Sequence, residues 1–199
     1  MTDPVPSDHN PLAVLVGRLF HPFVVSVITL IIILRTTPFA EAAFWVVVIS
    51  VILILPVTLY MTWKQRQGRY AYQRHERGKI YLIGWCSVIV CLILTHFLNA
   101  PDVLVMCLFT LVLWVPLQRF INQRFTKVST HTGVLTGCLL GLGLLGHLTS
   151  SLGWILGIGA ITLTAWARIE TRNHTSQQVM LGILVGALPV LIVFPLMLG

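Results

Sequence analysis

Seven long apolar runs, separated by short polar loops, leave this chain of 199 residues few ways to fold. They are Leu19–Leu34, Phe44–Trp63, Ile80–Leu98, Val103–Leu117, Thr132–Leu148, Leu152–Ala167 and Val179–Leu198. A helix crossing the ~30 Å hydrocarbon core of a bilayer needs about 20 residues, within a range of roughly 17–25. All seven runs qualify, the first and fourth marginally. They are uniformly apolar, without the alternation of a barrel strand, so helices are predicted. The expected fold is all-α: a polytopic integral membrane helix bundle of six to seven transmembrane helices. A mobile tail over residues 1–12, carrying Asp3, Asp8 and three prolines, precedes a single domain over residues 13–199. The tail lacks the positive n-region of a cleaved signal peptide.

Composition excludes other classes. Charged residues make up 10% of the chain, against roughly 25% in soluble domains. The net charge of +7 is confined to short loops. No basic surface with interleaved aromatics is available to track a nucleic-acid backbone, so no nucleic-acid partner is expected. The lipid bilayer, anionic headgroups or a phosphorylated substrate account for the charge better. Cys86, Cys91, Cys107 and Cys138 all fall in apolar runs and read as reduced packing residues.

Parity sorts the loops. Seven crossings place the N-terminus, Lys64–Lys79, Gln118–His131 and Arg168–Gln178 on one side. Of the 13 Lys and Arg residues, Arg35 alone falls on the other. The positive-inside rule makes the basic side cytoplasmic. Lys64, Arg66, Arg69, Arg119 and Arg124 still support that orientation when candidate site residues are discounted. Gly133, Gly137 and Gly141 recur at four-residue spacing, as do Gly153/Gly157 and Gly182/Gly186. Such small faces let backbones approach closely in lipid, which predicts that the last three helices form one tight bundle.

Two polar stretches sit at the mouths of those helices: Lys127-Val128-Ser129-Thr130-His131, and Arg168 followed six residues later by His174. The two helices between them run out and back and return both stretches to the basic side. Cations, a hydroxyl and two histidines meeting at a membrane surface are the parts needed to hold a phosphate and pass it to an imidazole. His75 shares that side. His9, His21, His96 and His147 read as ordinary interfacial or tail residues.

These residues resemble the motifs of the type 2 phosphatidic acid phosphatase (PAP2) superfamily of membrane lipid phosphatases. Val128-Ser129-Thr130-His131 stands where that family has Pro-Ser-Gly-His. Ala167-Arg168, five residues, His174, three residues and Gln178 stand where it has Ser-Arg, five residues, His, three residues and Asp. The match covers roughly the last 80 residues. The chain lacks the family's Lys-x6-Arg-Pro motif; Arg74 and Arg77, or Arg119, Arg124 and Lys127, are the candidate replacements. Gln178 replaces an aspartate, and Glu170 or Glu76 are candidates for the missing charge.

The resemblance implies a PAP2-like core and a metal-independent, cofactor-free phosphatase acting on a lipid phosphate through a phosphohistidine. His174 would be the nucleophile, oriented by Gln178, and His131 the general acid. Lys127, Ser129, Thr130, Arg168, Arg77 and Arg74 would hold the phosphate. Six carboxylates in the whole chain, none at ligand spacing, suggest no metal site. The substrate would be a polyprenyl mono- or diphosphate or a phosphatidic-acid-like lipid, met at the cytoplasmic face of the cell membrane. A non-catalytic relative that binds anionic lipid, or a small transporter, are the alternatives. The second is opposed by the lack of charged residues near the middle of any run.

Overall fold

The computed structural model describes residues 10–67 and 77–199, and of Arg77 the backbone alone. Eight helices are present among them: α1 (Pro11–Leu19), α2 (Pro22–Ile33), α3 (Phe39–Arg66), α4 (Arg77–Phe97), α5 (Asp102–Arg124), α6 (Thr130–Leu144), α7 (Ser151–Glu170) and α8 (Ser176–Leu198). Counting α1 and α2 as one span, six helical segments are long and apolar enough to cross a membrane. The protein is a polytopic membrane helix bundle. The seventh apolar helix, α6, has 15 residues, a rise of about 22 Å. It packs against α2, α7 and α8, so much of its surface meets protein.

The expected first run is divided. Proline at position 22 has no N–H to donate and biases the preceding residue towards extended backbone. His21 accordingly has ψ 136°, and Pro22 opens α2 at its first position. The helix before this break reaches back to Pro11, so Pro11 and Leu12 belong to α1 and not to the tail. Residues 1–9 lie outside the described residues.

The fifth helix differs from expectation in the other direction. It does not stop at Leu117 but continues to Arg124, which takes Gln118 and Asn122 out of the predicted loop and buries both in the bundle. Pro116 lies within the helix, where neighbouring groups can compensate for its missing N–H.

Apolar packing locks the helices in sequence. Leu30, Ile33 and Leu34 meet Trp45, Ile49 and Leu104, joining the α2 end to α3 and α5. Val88, Cys91 and Leu108 join α4 to α5, and Met106 packs on Val190, Val193 and Phe194 of α8. The glycine faces of α6 and α8 act as expected, whereas α7 packs more on α1 than on either of them. A Cβ added at Gly133 would lie 3.1 Å from the Gly182 carbonyl oxygen, and one at Gly137 would lie 3.2 Å from that of Gly186. This close α6–α8 contact lets the start of α6 meet the start of α8, where both polar stretches lie.

Candidate active site

The α7–α8 turn is built around one carbonyl. Arg168 O accepts from the backbone N–H of both Asn173 and His174, at 3.1 Å each. Arg172 takes a left-handed φ of 51° to make the turn. Within it, Thr171 donates to Ala167 O at 2.7 Å, and the Asn173 amide donates to Thr171 Oγ1 at 2.7 Å. Lys127, from the strand-like approach to α6, donates its ammonium to Asn173 O at 2.6 Å. The two polar stretches are therefore joined by a direct contact, and Lys127 serves as a clasp on the turn.

Thr175 then caps α8. Its hydroxyl accepts from Gln178 N, while Gln178 Oε1 accepts from Thr175 N, a reciprocal capping box. The same Oε1 lies 3.2 Å from His174 Nδ1. This contact decides a tautomer. The Thr175 N–H identifies the oxygen of the amide, and the amide nitrogen donates to Thr126 Oγ1 at 3.2 Å. An oxygen can only accept, so Nδ1 of His174 carries the hydrogen and the neutral ring has its lone pair on Nε2. Gln178 thus does for the ring's orientation what a carboxylate would do, without the negative charge. Glu170 is exposed on the last turn of α7, and Glu76 lies outside the described residues.

The start of α6 is fixed from two sides. Ser129 N donates to Gln178 O at 3.2 Å, and Thr132 Oγ1 donates to the Ser129 and Val179 carbonyls. A Cβ at Gly182 would collide with Ser129 and Thr132, so glycine is required for this approach. On the other side, Val128 N donates to Asn122 Oδ1 at 3.1 Å, and Gln118 donates to Thr130 Oγ1 at 2.6 Å. Both amides also donate to the Tyr81 hydroxyl.

These contacts revise two expected roles. Ser129 is fully buried, its N–H is taken up by α8, and its side chain does not cap α6. The Thr130 hydroxyl is engaged by α5. Ser129 and Thr130 anchor the start of the helix that carries His131. The Tyr81–Gln118–Asn122 support is not legible in the sequence, because Tyr81 is far from the other two and polar residues such as Gln118 and Asn122 have the composition of a loop.

His131 occupies the second position of α6, within electrostatic reach of Arg168, His21 and His174. His21 was expected to be an ordinary interfacial residue. It lies edge-on to His131 with ring centroids 5.4 Å apart and an interplanar angle of 84°. Position 17 of α1 borders the same group: a Cβ there would sit 3.6 Å from Arg168 Nη1. The usable sequence signal was Pro22, which forces a helix break at His21 and turns its side chain out of a continuous helix.

His21, His131, Arg168, His174 and Gln178 are all half-buried, at one end of the bundle. Arg35 and His147 meet at the opposite end, where burial and then the Arg35 charge lower the His147 pKa. Arg74 lies outside the described residues, and of Arg77 only the backbone, at the start of α4, is described. No group of three His, Cys, Asp or Glu side chains that could hold a metal occurs among the described residues. No protein-family model matches the chain, and neither curated proteins nor solved structures yield a match.

Proposed function

We propose that the protein is a membrane-embedded phosphatase that hydrolyses a lipid phosphate through a phosphohistidine on His174. The observation that carries this reading is the Gln178 contact, which leaves the lone pair of a half-buried imidazole on Nε2, while Arg168 and His174 are both within electrostatic reach of a second imidazole, His131. A neutral, oriented imidazole is a nucleophile; a guanidinium matches the planar spread of phosphoryl oxygens; a second imidazole has ring nitrogens that can give and take a proton.

In the first step, Nε2 of His174 attacks phosphorus and the bond to the lipid oxygen breaks. His131 gives that oxygen its proton, so a neutral lipid alcohol leaves. Arg168 neutralises the equatorial oxygens as charge develops, the usual main contribution to phosphoryl transfer. In the second step, water attacks the phosphohistidine and His131 takes a proton from it, releasing inorganic phosphate. Every step is carried by side chains of the chain, without a metal.

The same residues carry the resemblance to the PAP2 superfamily, with Gln178 as its principal departure. A lipid phosphate suits the location: its tail can stay in the bilayer while its headgroup reaches a basic mouth. A polyprenyl or glycerolipid phosphate fits these requirements. Charge bias supports a mouth at the cytoplasmic face of the cell membrane.

The test is phosphate release from short-chain lipid phosphates by the purified protein in EDTA, with His174→Ala as comparison. The expected result is release by the native chain, an acid-labile phosphoenzyme, and loss of both in the variant. Full activity in His174→Ala, or no release from any lipid phosphate, overturns the reading.

A further inference from the structure

We infer that the Gly17–His21 segment, at the break between α1 and α2, is a positioning element that holds the His131 ring for proton transfer. The inference rests on the phosphatase reading for its chemistry, but its geometry stands apart from it.

The His21 ring meets the His131 ring edge-on, with centroids 5.4 Å apart and an interplanar angle of 84°. At the other end of the segment, position 17 borders the Arg168 guanidinium. An edge-on ring contact has a preferred geometry. It therefore restrains the His131 ring while leaving its nitrogens able to give up and regain a proton.

His21 is itself immobilised. Its Nδ1 accepts from Phe23 N at 3.3 Å and caps α2. Protonation at Nδ1 would remove that cap, so His21 serves as a fixed neutral ring with its hydrogen on Nε2. The segment is anchored to the two helices that carry the site. Ala13 and Val16 bury against Ala167, next to Arg168, while α2 packs along α6, which carries His131. Asn, Ser or Asp would serve better than His as a helix cap. A cap that must also present a ring to His131 explains the histidine.

The test uses His21→Asn, which keeps a cap for Phe23 N and removes the imidazole. General-acid help matters most for a poor leaving group, so an alkyl lipid phosphate and p-nitrophenyl phosphate should separate. The expected result is a fall in kcat of roughly tenfold or more on the alkyl substrate and about twofold or less on the aryl one. Equal losses on both, or no loss on either, overturn the inference. A readout independent of turnover is the ¹⁵N spectrum of the His131 ring, assigned with His131→Asn. Native protein should give two separate ring-nitrogen shifts and His21→Asn an averaged pair; an unchanged pair overturns the inference. If the native protein releases no phosphate, the functional reading fails, and the ring spectrum still decides the positioning role.

Discussion

His174 Nδ1 and Gln178 Oε1 lie 3.2 Å apart across one turn at the start of α8, with the Thr175 N–H bound to the same oxygen. The capping box that starts the helix also sets the tautomer of the histidine before it. Gln178→Leu removes an acceptor worth about 1–3 kcal/mol to the partners left behind. That corresponds to a fall in kcat of roughly 10- to 100-fold, measured as phosphate release. Gln178→Glu keeps the acceptor and adds charge beside the ring, and is expected to retain or raise the rate of phosphoenzyme formation.

Arg168 and Lys127 should separate in their effects. The guanidinium of Arg168 borders position 17 and acts on His131, and a fork of donors on phosphoryl oxygens has no equivalent in an ammonium. Arg168→Lys is expected to lower kcat/KM by about 100-fold or more. Lys127 is already engaged by the Asn173 carbonyl. Lys127→Met should cost only on the order of tenfold and should lower stability as well.

Gly186, on the α6–α8 contact, and Gly159 of α7 should be sharply unequal. A Cβ at Gly186 would collide with the Gly133 backbone, whereas one at Gly159 meets open space. Gly186→Ala is expected to destabilise by about 1–3 kcal/mol, since backbone cannot give way as a flexible side chain would. Gly159→Ala should stay within about 0.5 kcal/mol of the native chain. Thermal unfolding in one detergent measures both.

Asn122 should matter to activity without touching substrate. Its Oδ1 is the acceptor for the buried Val128 N–H, two residues before the start of α6. Asn122→Leu keeps the volume and leaves that N–H unsatisfied, at about 1–3 kcal/mol. The expected outcome is a lower unfolding midpoint, together with reduced turnover on alkyl and aryl phosphates alike. That uniform loss distinguishes it from His21→Asn.

Much of the bundle was legible in the chain. The apolar runs, the parity of the loops and the glycine spacing led to the helices and to the meeting of Lys127, His131, Arg168 and His174 at one end. Helix ends were less legible. Polar residues such as Gln118 and Asn122 look like loop by composition, and only their pairing with Tyr81 and with the α6 start lets them be buried in a helix. The burial of Ser129 is hidden in the sequence for a related reason. A serine before a helix reads as a cap or a phosphate ligand, but the close approach of Gly182 buries it. His21 was passed over because its role depends on a ring more than a hundred positions away in the chain.

By itself, the sequence determined that this protein is a helical membrane bundle, because length and hydropathy are properties of single segments and bilayer thickness is a strict ruler. Tertiary structure decided which polar groups at one end of it face one another. It joined His174 to Gln178, buried Ser129, tied Thr130 to α5, and brought the α1–α2 break against His131. The physical reason is that a hydrogen bond or a ring contact depends on the packing of several helices at once, and no single segment encodes it.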